Sequence, residues 1–447
     1  MSNYQSNYTT TVNSFEELGL SQDILRGVAS YGLETPSPVQ SKIKELLNTY
    51  SESETDIEKQ PQTLVKKGRD GIIQDYSGSG KTVAFSLTAL HNIQQSYVND
   101  EGVEKPLIGP QVIIISHTHD LATQTFSVVN ELSKYMTDKV EVLLCIGGGS
   151  TSSRDSGRDS GRDSSRASGS NTGGNSVKDN VTRILNARLP QIICGSPGRI
   201  KHLLEYKHRG RNLIYKNDLQ LIILDEADEL LKKNFKETIY DIFKLTNNNI
   251  QIEMFSATMP TEALEIADAF MRDPLVVLLD KDRQTLDGID QYYIDMKNST
   301  FMDKADVLCD LFEGGDISVA QCIIFCNKIE QASALEQVLS SRDFTVSLIH
   351  GKMSQAERDH IISELRTGST KIVIASDLVA RGINVQGLAY VFNFDFPFDR
   401  ENYIHRIGRC GRFGRKGVAI NLINTSEYRM VEEIQNYYQI KIKEFTI

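Results

Sequence analysis

Ser77-Gly78-Ser79-Gly80-Lys81-Thr82 follows the apolar pair Ile72-Ile73 and leads into a run with helical spacing from Val83. A strand that turns through small residues into a helix aims backbone N–H groups at phosphates. The lysine then reaches the β- and γ-phosphates, and the Thr82 hydroxyl is placed to hold Mg²⁺. The segment reads as a phosphate cradle, although Asp75 stands where the first glycine of the strict G-x-x-x-x-G-K-[ST] pattern would be. Farther along, the apolar residues 221–224 run into Asp225-Glu226-Ala227-Asp228. A carboxylate at a strand end, here Asp225, can hold the Mg²⁺ of a nucleoside triphosphate, and Glu226 beside it can orient or deprotonate the attacking water. Alone, each segment would pass for a chance loop or an acidic helix start. Together they describe triphosphate hydrolysis.

Elements must position these residues. Short apolar runs at 71–73, 112–115, 191–194, 219–224, 251–255, 322–325, 345–349 and 371–375 are each followed by a turn and usually by helical spacing. This pattern predicts an α/β fold with buried parallel sheets, and ligands in such sheets bind beyond the carboxyl ends of the strands. A helix is expected over 230–244. Two polar stretches, 51–62 and 149–178, have little to bury and read as insertions; in the second, Arg154, Arg158 and Arg162 are each followed by an aspartate, which cancels the field. The polar segment 280–288 marks a boundary. The expected organisation is an N-terminal tail 1–14, a first domain 15–279, a linker 280–288 and a second domain 289–447.

Composition bounds the rest. The 447 residues carry 49 Lys+Arg against 59 Asp+Glu, a formal charge of −10, with 40% apolar residues. That suits a folded chain of two or three domains and excludes wholesale disorder. No window approaches the ~18 apolar residues of a membrane span, and the N-terminus lacks a basic and apolar leader. An intracellular protein without a membrane partner is expected. The six cysteines are scattered, as reduced core thiols are; Cys322 and Cys326 flank an apolar triplet without a companion His or Cys pair, so core packing is a better reading than zinc.

The order of motifs resembles one family, the DEAD-box ATP-dependent RNA helicases of superfamily two, over about residues 15–445. Residues 32–40 look like its adenine-reading Q motif, with Phe15 as the upstream aromatic. Ser256-Ala257-Thr258 follows the Asp-Glu-Ala-Asp. The second half supplies Asn327, His350-Gly351-Lys352-Met353-Ser354-Gln355 with Arg358, Ser376-Asp377-Leu378-Val379-Ala380-Arg381-Gly382, and His405-Arg406-Ile407-Gly408-Arg409-Cys410-Gly411-Arg412. Cys145-Ile146-Gly147-Gly148 and Phe325-Cys326-Asn327 point to the eukaryotic translation initiation factor 4A subgroup.

The resemblance implies two RecA-like domains that close over ATP, Mg²⁺ and RNA. Nucleotide would be held by Thr35, Gln40, Ser77, Gly78, Ser79, Gly80, Lys81, Thr82, Asn384 and Phe413, with Thr82 and Asp225 as metal ligands. Lys81, Asp225, Glu226, Arg409 and Arg412 would carry catalysis, the arginines stabilising charge on the γ-phosphate. Asp228, Ser256, Thr258, Asp377, Arg381, His405 and Arg406 would couple the domains. RNA would lie along Thr118, Gly148, Ser196, Arg199, Asn327, Gln355, Arg358, Ser376 and Gly382, held by phosphates and 2′-hydroxyls rather than by sequence. A monomer in the cytoplasm rather than the nucleus is expected, remodelling short RNA duplexes or RNA–protein complexes with translation-initiation scaffold proteins among its partners.

Departures from the family qualify this. His119 stands where the family has arginine, and Asn384 where it has aspartate, so the alternative is an ATP-gated RNA clamp with little turnover. A DNA-directed translocase is a third reading. Leu33 replaces an aromatic, leaving Phe413 as the expected stacking face for adenine.

Overall fold

The computed structural model describes residues 5–47, 68–76, 78–94, 96–98, 104–106, 109–136, 140–147, 190–278, 288–314, 321–376, 388–410 and 417–445. Two seven-stranded parallel sheets organise them. The first contains β1 (Gly71–Gln74), β2 (Val112–Ser116), β3 (Val142–Cys145), β4 (Ile192–Gly195), β5 (Leu221–Asp225), β6 (Gln251–Ser256) and β7 (Leu275–Val277), in the order β7-β1-β6-β5-β2-β4-β3. The second contains β8 (Ile289–Lys297), β9 (Cys322–Cys326), β10 (Val346–Ile349), β11 (Ile372–Ser376), β12 (Tyr390–Asn393), β13 (Gly417–Asn424) and β14 (Lys443–Glu444), in the order β10-β11-β9-β12-β13-β8-β14.

The continuous apolar runs follow from burial on both faces. Successive strand side chains point to opposite sides of a sheet. Accordingly, Ile113, Ile115, Ile222 and Leu224 join one core cluster, while Val112, Ile114, Leu221 and Ile223 join the other. All eight runs read from the sequence became strands. Cys322 and Cys326 begin and end β9, both buried, and burial pushes the Cys322 thiol up to about 12.

The helices that place the site are α1 (Lys81–His91), α2 (His119–Leu132), α3 (Pro197–Glu205), α4 (Ala227–Leu230) and α5 (Lys233–Leu245) in the first domain, with α6 (Gln355–Thr367) and α7 (Arg400–Ile407) in the second. The single helix expected over 230–244 is two. Lys232 is extended (φ −69°, ψ 161°), which frees the short α4 to turn Asp228 toward the end of β6.

Part of the expected N-terminal tail is built into the first domain. The Ser6 hydroxyl and Asn7 amide bond the backbone of β7 and its flanks (2.7–3.0 Å), Thr9 bonds Glu45 (2.8 Å), and Val12 is buried. The arm covers a sheet edge that would otherwise be unpaired. The expected insertions 51–62 and 149–178 and most of the linker lie outside the described residues.

Candidate nucleotide and nucleic-acid site

The cradle after β1 has the geometry its composition requires. Gly78 (φ 87°) and Gly80 (φ 97°) take left-handed conformations, and a Cβ on Gly80 would lie 2.4 Å from Gln40 Nε2. Glycine is needed at Gly80 for both reasons. Gln40 is buried against the loop: its Nε2 donates to the Gly80 carbonyl (3.1 Å) and its Oε1 accepts from the Ser37 N–H (2.9 Å). Lys81 Nζ donates to the carbonyls of Asp75 (2.7 Å) and Tyr76 (2.8 Å), so the lysine lies along the loop it must serve. Asp75 is itself buried. Burial raises its carboxyl above the ordinary range, against the opposing pull of Lys81.

The acidic strand end is built under strain. Glu226 adopts φ 52°, ψ 58°, a left-handed conformation that costs a non-glycine residue about 1–3 kcal/mol. Its Oε2 is buried without a hydrogen-bond partner among the described residues. Burial, then the charge of Glu226, pushes Asp225 up to about 7, while Lys81 pulls it down. The Ser116 hydroxyl offers it only a long 3.5 Å contact. The unpartnered Glu226 oxygen and the raised Asp225 carboxyl line one cleft with Thr82, a donor set that a hard dication fits.

Asp228 faces the other way and is fully satisfied. Ser256 Oγ (2.7 Å) and Thr258 Oγ1 (2.5 Å) donate to it, and so does His405 Nε2 of the second domain (3.0 Å). Burial alone would raise Asp228; the His405 charge and these hydrogen bonds outweigh it and hold the carboxyl well below the usual carboxylate range. Both partners are 0% exposed. One turn beyond His405, Arg409 Nε donates to the His405 carbonyl (3.2 Å).

These elements enclose a cleft of about 390 Å³ between the domains. Thr35, Gln40, Gly78, Ser79, Gly80, Lys81, Thr82, Asp225 and Glu226 line it from one side and Arg409 from the other. Tyr31, Leu121, Gln124 and Val128 also line it and were not named from the sequence. Leu121, Gln124 and Val128 share one face of α2 by helical spacing, but only the topology shows that this face meets the nucleotide cleft.

The expected RNA residues divide into two groups. Thr118 and Ser196 are the N-caps of α2 and α3, with Arg199 one turn into α3. Arg358 on α6 pairs with Asp120 on α2 (3.0 Å), a second tie across the domains. His119, the first residue of α2, feels the charges of Arg358, Asp120 and Arg199. Burial lowers it from the usual histidine range, as do Arg358 and Arg199, and Asp120 opposes them. Ser376 ends β11, buried.

Asn327 is engaged inside its own domain, accepting from Arg406 Nη2 (2.6 Å) and donating to the Phe396 carbonyl (2.9 Å). Arg406, expected to couple the domains, is anchored within the second domain through these contacts. It is wholly buried, donating also to Asn393 Oδ1 (3.0 Å) and the Asp395 carbonyl (2.7 Å), and so fixes α7, which presents His405 and is followed directly by Gly408 and Arg409. Ser77, Gly148, Asp377, Arg381, Gly382, Asn384, Arg412, Phe413 and the Gln355 side chain lie outside the described residues.

Comparison with known proteins agrees with this arrangement. Residues 55–266 match the DEAD/DEAH box helicase family and residues 303–414 the helicase conserved C-terminal domain. The chain is 41% identical over 440 residues to the ATP-dependent RNA helicase eIF4A of Yarrowia lipolytica, covering 98% of this chain and 94% of that protein. It is 39% identical, with the same coverage, to that of Pyricularia oryzae. Among solved structures it is similar to S. cerevisiae Dbp5 bound to RNA and ADP BeF3, with a TM-score of 0.74, 29% identity and coverage of 97% of this chain and 96% of that one.

Proposed function

The chain belongs to the DEAD-box family of ATP-dependent RNA helicases, with eIF4A proteins among its relatives, and from that premise we propose that it couples RNA-stimulated ATP hydrolysis to local opening of short RNA duplexes or RNA–protein complexes. The observation that carries the reading is the fully buried Asp228–His405 contact. It ties the strand-end carboxylates of one domain to the helix that delivers Arg409 from the other.

In this reading the Gly78 to Thr82 turn binds the triphosphate through its N–H groups and Lys81, and Gln40 positions adenine. Glu226, aimed by its left-handed backbone, takes the proton of the attacking water or orients it. Arg409 neutralises charge building on the γ-phosphate, which arginine-finger systems use for ~10³–10⁵ in rate. Thr82 and Asp225 would hold Mg²⁺, which when bound neutralises phosphate charge. RNA would run from the caps of α2 and α3 to α6, so that strand binding and domain closure favour one another through the Arg358–Asp120 pair.

A monomer working in the cytoplasm with translation-initiation scaffold proteins is a further part of this proposal; the eIF4A names of the relatives bear on the translation role alone. The clamp alternative rests on His119, which burial and neighbouring arginines hold toward its neutral form where the family carries a charge. Phosphate release with and without single-stranded RNA tests the choice. Strong stimulation is expected. A folded chain that retains RNA with a non-hydrolysable ATP analogue but barely turns over is the clamp.

A further inference from the structure

We infer that the hairpin Lys207–His208 and Arg211–Asn212, which follows α3, is a second contact for the RNA phosphate backbone, outside the inter-domain path. The strands pair antiparallel, Lys207 with Asn212 and His208 with Arg211. Arg209 (φ 49°) and Gly210 (φ 81°) form the tip. Two positive φ values are the mark of a type I′ turn, whose first position favours Asn, Asp or Gly. An arginine there is strained, and among the described residues no hydrogen bond or ion pair of the exposed Arg209 side chain offsets it. A local rule broken on the surface without a packing gain points to work done outside the fold.

The neighbouring side chains have the chemistry of a nucleic-acid surface. Lys207, Arg209, Arg211 and Lys216 are exposed, with the exposed ring of Tyr215 beside them in sequence. Among the described residues, the nearest ion pairs join Lys201 to Asp241 and Glu205, and none engages these four cations. The base of the hairpin is rigid: Leu213 and Ile214 are buried in the core, and the Leu213 N–H donates to the Tyr206 carbonyl (3.1 Å). Four cations and an aromatic within ten residues, on a chain of net charge −10, form a local positive field in an acidic surface.

Position selects RNA over an acidic protein as the occupant. The nine residues of α3 span about 13 Å, with Ser196 and Arg199 of the proposed RNA path at one end and the hairpin at the other. A strand or duplex arm leaving the path along α3 meets these cations within a few nucleotides. Backbone contacts of this kind add affinity without sequence preference and are sensed by salt.

The inference rests on the RNA reading above, and two RNAs keep the two separable: a short single strand that fills only the inter-domain path, and the same strand extended on both sides. In the full-length chain, Lys207→Gln, Arg209→Asn and Arg211→Gln combined should leave short-strand affinity and RNA-saturated ATP turnover unchanged. They should weaken the extended strand several-fold and reduce its log–log salt slope by up to about 2, at ~0.7 for each phosphate no longer neutralised. The charge-retaining set Lys207→Arg, Arg209→Lys and Arg211→Lys should restore both. Equal affinity and slope for the extended strand in parent and neutralised chain would overturn the inference and leave an acidic protein as the occupant. Equal losses on both strands would overturn it too, by showing a disturbance of the central path. A parent chain that binds neither RNA would sink the RNA reading and this inference with it.

Discussion

The two sides of the nucleotide cleft solve opposite problems. The first domain contributes carboxylates at strand ends, held in high-energy states: Glu226 in a left-handed conformation, and Asp225 pushed up to about 7 by burial. The second contributes His405 on, and Arg409 just past, a helix whose base is settled, with Arg406 buried and hydrogen-bonded to Asn327, Asn393 and the Asp395 carbonyl. Strain and unmet charge sit where substrate and metal must bind, and satisfied polar networks sit where a rigid platform is needed. Neither side is a complete catalyst. Asp228, by contrast, is answered by a protein group of the other domain, His405.

Removing the charge delivered by the second domain should have the largest effect. Arg409→Ala is expected to lower RNA-stimulated turnover by about 10³-fold or more while leaving ATP affinity within a few-fold, as measured by phosphate release and nucleotide titration. Loss of ATP binding instead would mean that Arg409 grips the ground state.

Next comes the strained carboxylate. Glu226→Gln keeps shape and removes the base, so turnover should fall by about 10²–10⁴-fold with ATP binding retained. A mutant of ordinary activity would show that the water is positioned elsewhere.

The raised Asp225 gives a pH signature. A carboxyl near 7 in the metal-free protein must lose its proton to hold a dication. Mg²⁺ affinity should therefore rise up to about tenfold per pH unit below 7 and level off above it. The folding linkage has the opposite sign for the metal-free chain: the raised carboxyl makes it less stable as pH climbs from the unfolded carboxylate value toward 7. The thermal upshift given by MgATP should be larger at pH 8 than at pH 6, and equal upshifts would remove Asp225 from the metal site.

The smallest effect is expected at the loop residue that departs from the strict cradle pattern. Asp75 is a buried acid beside Lys81, in the loop that must also receive a triphosphate. Asp75→Asn should improve ATP binding by a few-fold without changing the maximal rate, and weaker binding would show that Asp75 holds the loop open instead.

The parts of this arrangement legible in the sequence were those set by short-range rules. Apolar runs bounded by turns marked eight strands, and the residues just past them marked the cradle and the acidic end. Strands with mixed faces were harder. Ile289–Lys297 alternates buried and exposed positions near the sheet edge, and Val142–Cys145 is only half buried, so neither gives a continuous apolar run. The break between α4 and α5 was hidden because the residues around Leu231 and Lys232 form helices well. What stops them is a tertiary demand, the aim of Asp228 at Ser256 and Thr258. Asp120 was missed for a similar reason: its partner Arg358 lies 238 residues away, and no local spacing announces such a pair.

The central claim, that hydrolysis waits on a buried link between the domains, is tested most directly by a double-mutant cycle on Asp228 and His405 read by RNA-stimulated phosphate release. With Asp228→Asn, His405→Asn and the pair combined, the account predicts that the second substitution adds little once the first is made, giving a coupling of about 1–3 kcal/mol. Fully additive losses would contradict it, because two residues that act independently cannot be the link on which closure depends.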